Sequence, residues 1–138
     1  MKFKIFISIV IGIIIIFMLI SLNFNKVEII KPQFYLTTTE LVDYFNLDED
    51  LADKKFANKL IQIEGTIKNI TYNNKKPTIT FNATDDSGVI CSLNSTEFNH
   101  TTKLQKNDKI TIQGKCTGFL LDVIMADCII IKKRKHEN

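Results

Sequence analysis

The stretch Leu60-Ile61-Gln62-Ile63-Glu64-Gly65-Thr66-Ile67-Lys68 decides the fold. Ile61, Ile63, Gly65 and Ile67 alternate with Gln62, Glu64, Thr66 and Lys68, and a period of two puts one set on a buried face and the other toward water. The alternation slips at Asn69-Ile70, where a bulge or bend is expected, and Gly65 would let a strongly coiled strand pass close to another. Tyr72-Asn73-Asn74-Lys75-Lys76-Pro77 is turn chemistry. The next strand turns Ile79, Phe81 and Ala83 inward and Thr78, Thr80 and Asn82 outward. Asp85-Asp86-Ser87-Gly88 turns the chain again, and a third strand carries Val89, Cys91 and Leu93 on its inner face.

Ser95 to Lys106 then interrupts the sheet as a short helix, capped at Ser95 or Thr96 and supplying Phe98 and Leu104 to the core. A fourth strand follows, with Ile110, Ile112, Gly114 and Cys116 inward and Lys109, Thr111, Gln113 and Lys115 opposed. Gly118 to Asp122 reads as a loop and Val123 to Ile131 as a fifth strand. Three strands, a helix and two strands is the order of a five-stranded Greek-key OB barrel. The helix position argues against a small sandwich or an SH3-like barrel.

Upstream, Thr37-Thr38-Thr39-Glu40 offers capping hydroxyls with an acid in the first turn, and Leu41, Val42 and Phe45 share a stripe, so a short helix is expected from about Thr39 to Phe45. Asp48, Glu49 and Asp50 open a second, in which Ala52 and Phe56 lie four apart and Lys54 and Lys55 come late; it should end near Asn58. Asn25 to Phe34, with Pro32, reads as an extended spacer. Before it, Ile5 to Phe24 carries no charge and is almost wholly apolar, which at 1.5 Å per residue matches the ~30 Å of a bilayer core. The run is longer than a cleaved signal's apolar region and no Ala-x-Ala follows, so an uncleaved signal anchor is expected, with cleavage near Ser21 as the alternative. No cysteine precedes Cys91, which excludes a lipoprotein lipid anchor. Lys26 and Lys31 nearly balance Lys2 and Lys4, so orientation rests on the four-residue leader, which favours the N-terminus inside and the domain on the extracytoplasmic side of the inner or cytoplasmic membrane. The expected organisation is an N-terminal transmembrane helix over 1–24, a spacer over 25–35, a mainly β OB-fold domain with two leading helices over 36–131, and a basic tail over 132–138.

The formal charge of +3 conceals an uneven distribution. Outside the leader and tail the chain holds 12 basic and 14 acidic side chains, a slightly negative body. A domain that grips phosphates through counterion release usually presents a basic face instead.

The pattern Ala52-Asp53-Lys54-Lys55-Phe56, Asn58-Lys59, Ile61-x-Ile63-x-Gly65-x-Ile67 and Cys91 resembles the tRNA anticodon-binding-like family of small bacterial envelope OB-fold proteins. Leu104-x-Lys106-x-Asp108-x-Ile110-x-Ile112-x-Gly114-Lys115-Cys116-x-Gly118, Asp122-Val123 and Asp127-Cys128 extend the likeness across about Leu36 to Ile131. The resemblance implies a fold and an extracytoplasmic location and carries over no functional residue. Members often begin with a lipoprotein signal, from which this chain departs.

Cys91, Cys116 and Cys128 all have inward parity, as inert core thiols would. If the last hairpin is centred on Asp122, Cys116 and Cys128 stand opposite one another within disulfide reach, whereas a two-residue turn would misalign them. Three scattered inward cysteines are a poor zinc set, so neither metal nor cofactor is expected. His100 and His136 form no nucleophile–base–acid set and no glycine-rich phosphate loop occurs, so the chain reads as a non-enzyme. On the outward face of the second and third strands lie Thr78, Thr80, Asn82, Ile90, Ser92 and Asn94, without an aromatic platform for stacked bases. Tyr72, Lys75 and Lys76 in one loop and Phe119 in another are the candidates for a cleft mouth beside Thr80, Asn82 and Ser92. An envelope protein, peptide or glycan suits this polar face better than a nucleic acid, which stays the alternative. Lys132 to Lys135 could meet nucleic acid or anionic lipid, or simply be solvated. Asn69-Ile-Thr, Asn82-Ala-Thr, Asn94-Ser-Thr and Asn99-His-Thr match the glycosylation pattern, but the Ile, Lys and Asn bias suggests a low-GC bacterial genome, where such matches arise by composition.

Overall fold

In a computed structural model the chain divides into two units, 1–30 and 31–138; residues 12–14 and 30–134 are described. In the first unit Gly12–Ile14 is helical. The expected anchor Ile5 to Phe24 otherwise lies outside the described residues, as does the tail beyond Arg134. Among the described residues no helix is long and apolar enough to cross a membrane.

The second unit begins with β1 (Phe34–Thr37), α1 (Thr38–Leu47) and α2 (Glu49–Phe56). The strands β2 (Leu60–Asn73), β3 (Lys76–Asn82), β4 (Gly88–Leu93), β5 (Lys109–Leu120) and β6 (Asp122–Arg134) follow, with α3 (Phe98–Thr101) between β4 and β5. The sheet runs β1-β2-β3-β4-β6-β5, and a further pairing of β2 with β5 closes it. One long strand performs the closure. Leu60–Thr66 of β2 pairs with β5, Ile67–Asn73 pairs with β3, and the ladder shifts between Ile67 and Asn69. Lys68 is the extra residue, which changes the parity so that Ile61, Ile63 and Ile67 before it and Ile70 after it all reach the core. The slip expected at Asn69-Ile70 is this bulge.

β1 departs from the expected spacer: Phe34 to Thr37 pairs in parallel with Ile61 to Glu64 as a sixth strand outside the barrel. At its end Thr37 caps α1. Its hydroxyl accepts from the Glu40 amide while the Glu40 carboxylate accepts from the Thr37 amide at 2.7 Å, a closed capping box. These bonds hold the Glu40 carboxyl below its ordinary range. Leu41, Val42 and Phe45 bury α1 against the barrel, where Thr38 and Thr39 donate to the carbonyls of Asn82 and Ala83. Phe56 packs edge-on against Phe34 and Tyr44 and tilted against Phe45, joining β1, α1 and α2.

The helix expected over Ser95 to Lys106 shrinks to a 3-10 turn, Ser95–Glu97, and the single turn of α3, with no side-chain cap. The Thr101 and Thr102 hydroxyls bond back to the carbonyls of Phe98 and Asn99, the local competition by which threonine weakens helices. Thr111 and Gln113, expected to face water, are buried, because β5 is flanked on both sides by the longer β2 and β6. The loop expected over Gly118 to Asp122 narrows to Leu121 alone, at φ 76°, with Leu120 opposite Asp122.

That turn corrects the disulfide. Centred on Leu121 rather than Asp122 and shifted once more between Cys116 and Gly118, the hairpin sets Cys116 opposite Met125, while an extra residue in β6 carries Cys128 opposite Leu93 of β4. Cys91, Cys116 and Cys128 are all free and buried. Burial pushes the Cys116 thiol up to about 11 and the Cys91 thiol well up, the latter reinforced by Cys128. Intact mass is therefore expected to be the same with and without reductant, and iodoacetamide to label three thiols only after unfolding; a native Cys116–Cys128 bond would refute this register. Because burial keeps the Cys116 thiol protonated in the folded state, its contribution is whole below the ordinary value of 9.0 and is lost as the pH rises through about 11.

Candidate functional site

On the outer side of β3 and β4 the register sets Thr78 opposite Ser92 and Thr80 opposite Ile90, so the expected face is real. At its upper end the β2–β3 turn, with Asn74 and Lys75 both at positive φ, stands near the exit of β4. Two hollows meet there. One, of about 460 Å³, is lined by Lys76, Ser92, Leu93, Asn94, Ser95, Thr96, Ala126 and Asp127. The other, of about 400 Å³, shares Lys76, Ser92 and Leu93 and adds Asn73, Asn74, Pro77 and Thr78. Together they form a groove whose polar lining is three asparagine amides, four hydroxyls, one ammonium and one carboxylate. Amides and hydroxyls both donate and accept, so the groove matches a ligand that does the same.

Asp127 enters through the β6 bulge. At φ 52° it occupies the left-handed region that Asp tolerates, and both the β4 and the β5 ladders skip a residue beside it. Asn94 donates its amide to the Cys128 carbonyl just beyond the bulge, tying the floor of the groove together. The sequence carried a signal for this residue: Val123, Met125 and Asp127 share strand parity, and a charge third in an inward series marks a bulge.

Of the residues expected at the site, Lys76 and Ser92 line the groove. Thr80 lies on the same face beyond the lining, and Asn82 sits at the far end of β3, where its carbonyl receives Thr38. Lys75 occupies the exposed turn. Tyr72 meets Phe98 edge-on at 5.6 Å, and Phe119 stacks on Phe45 at 5.4 Å. Those two rings therefore do not share a cleft mouth, because each is drawn to an aromatic partner of its own. His100 is engaged by Glu97, whose buried carboxylate also accepts from the Ile130 amide. Among the described residues no group of His, Cys, Asp and Glu is arranged to hold a metal ion.

A closed five-stranded barrel with a groove across its second and third strands makes this an OB-fold protein. The chain belongs to the tRNA_anti-like family, whose model matches residues 1–130. A lipoprotein from Klebsiella pneumoniae subsp. pneumoniae MGH 78578, provisionally named as nucleic acid-binding, superposes with a TM-score of 0.61 at 16% identity, over 73% of this chain and 92% of that one. A Leishmania major Friedlin protein, provisionally named an aspartyl-tRNA synthetase, matches with a TM-score of 0.51 at 5% identity, over 83% of this chain but 23% of its own. No functionally curated protein matches.

Proposed function

We propose that the protein is a membrane-tethered binding module of the cell envelope, without chemistry of its own, whose groove takes a polar peptide, protein segment or glycan outside the cytoplasm. The groove lining carries this reading: amides and hydroxyls with a single cation, Lys76, set against Asp127, and no aromatic ring. The uncharged run Ile5 to Phe24 supports the tether. The second reading is a nucleic-acid-binding domain held at the membrane, favoured by the name of the Klebsiella lipoprotein and its likeness over most of its length. The two separate on salt. One groove lysine allows a slope of only about 0.7 in log affinity against log salt for a single strand.

The test titrates the full chain with soluble cell-wall fragments bearing glycan and stem peptide, and with single-stranded oligonucleotides at low and high salt. Saturable binding of the fragments, weakened about 2- to 12-fold by Asn94→Ala for the loss of a typical hydrogen bond, is expected. Micromolar oligonucleotide binding that collapses with salt would replace this reading with the second.

A further inference from the structure

The corner between α1 and α2 exposes large apolar side chains that the barrel does not use. Leu47 is 86% exposed and Leu51 62%, although Leu41, Val42 and Phe45 on the same helix as Leu47 are buried. Two hollows flank Leu47. One, of about 270 Å³, lies between the helices and is lined by Tyr44, Leu47, Asp48, Leu51, Ala52 and Lys55. The other, of about 210 Å³, is lined by Glu40, Asp43, Tyr44 and Leu47. The Lys55 ammonium, 4.1 Å from the Tyr44 ring centroid, is the one cation among the lining residues and offsets one of their three carboxylates. Glu40, Asp43 and Asp48 thus leave the rim acidic, and Glu49 and Asp50 in the first turn of α2 add to it.

This combination selects its occupant. A second copy packed symmetrically would bring two acidic rims together, and an anionic lipid surface would meet the same repulsion. We infer that the α1–α2 corner docks a protein segment in which an aliphatic side chain, seated beside Leu47 and Leu51, is accompanied by a lysine or arginine facing Glu40 and Asp43. The site is separate from the groove and does not depend on what the groove binds.

The test selects random dodecapeptides displayed on phage against the full chain, then measures synthetic versions on Leu47→Asp and Asp43→Lys variants. Both positions lie on the surface, and the variants should keep the wild-type unfolding midpoint. The expected peptides combine a basic with an aliphatic residue and lose at least tenfold in affinity on each variant. Peptides that bind wild type and variants equally, or no enrichment at all, would overturn the inference. So would sedimentation showing a dimer that Leu47→Asp dissociates, or binding to phosphatidylglycerol vesicles that the same change abolishes.

Discussion

Phe56→Ala is expected to lower the unfolding free energy by about 3–5 kcal/mol, the range for truncating a buried phenylalanine to alanine. Phe56 is fully buried and meets Phe34 at 5.1 Å, Tyr44 at 5.2 Å and Phe45 at 6.1 Å between ring centroids. Such pairs contribute about 0.5–1.5 kcal/mol each beyond the area they bury. Through Phe45 the cluster reaches Phe119 on the β5–β6 hairpin, so one ring links β1, both leading helices and the barrel. A small domain has about 5–15 kcal/mol of stability in all, so the variant should stand near its threshold. Urea unfolding followed by circular dichroism measures the change. A loss under 1 kcal/mol would mean that the helices do not depend on this ring.

Gly65→Val should be nearly as damaging for the opposite reason. A side-chain carbon at Gly65 would collide with the Thr38 methyl and stand 2.9 Å from both the Thr38 hydroxyl and the Phe81 ring. Thr38 is buried and donates to the Asn82 carbonyl at 2.8 Å, so it cannot retreat without losing the bond that seats α1 on the barrel. Overpacking of this kind costs about 1–3 kcal/mol, to which the stranded carbonyl adds. Thr38→Ala clears the space, so the double variant should lose less than the sum of the single losses by about 0.5 kcal/mol or more. Strict additivity would show that the two positions do not meet.

The strands were readable from Leu60 onward because each half-buried strand prints its own period. Ile61, Ile63 and Ile67, and Ile79 with Phe81, are buried as their alternation requires. What the alternation does not encode is register. The Leu121 turn moves the partner of Cys116 by two residues and the shift between Cys116 and Gly118 moves it by one more, which separates Cys116 from Cys128, and the bulge at Asp127 brings that residue to the groove. β1 escaped for a related reason: four residues beside a proline carry too little periodicity to announce a strand that pairs with β2 far along the chain. At the site, Lys76 and Ser92 were legible from turn chemistry and strand parity. Tyr72 and Phe119 misled because a ring's partners depend on elements far away in sequence, Phe98 for the one and Phe45 for the other.

The capping box has a consequence beyond starting a helix. With the barrel closed, β1 is an outer margin of the sheet, and an unprotected margin recruits further strands and seeds aggregates. Here it is four residues long, the Thr37 amide is already taken by Glu40, and the chain leaves it directly into α1. An incoming strand finds too few open amides to register against. Copies crowded side by side should therefore not join into a polymer through β1.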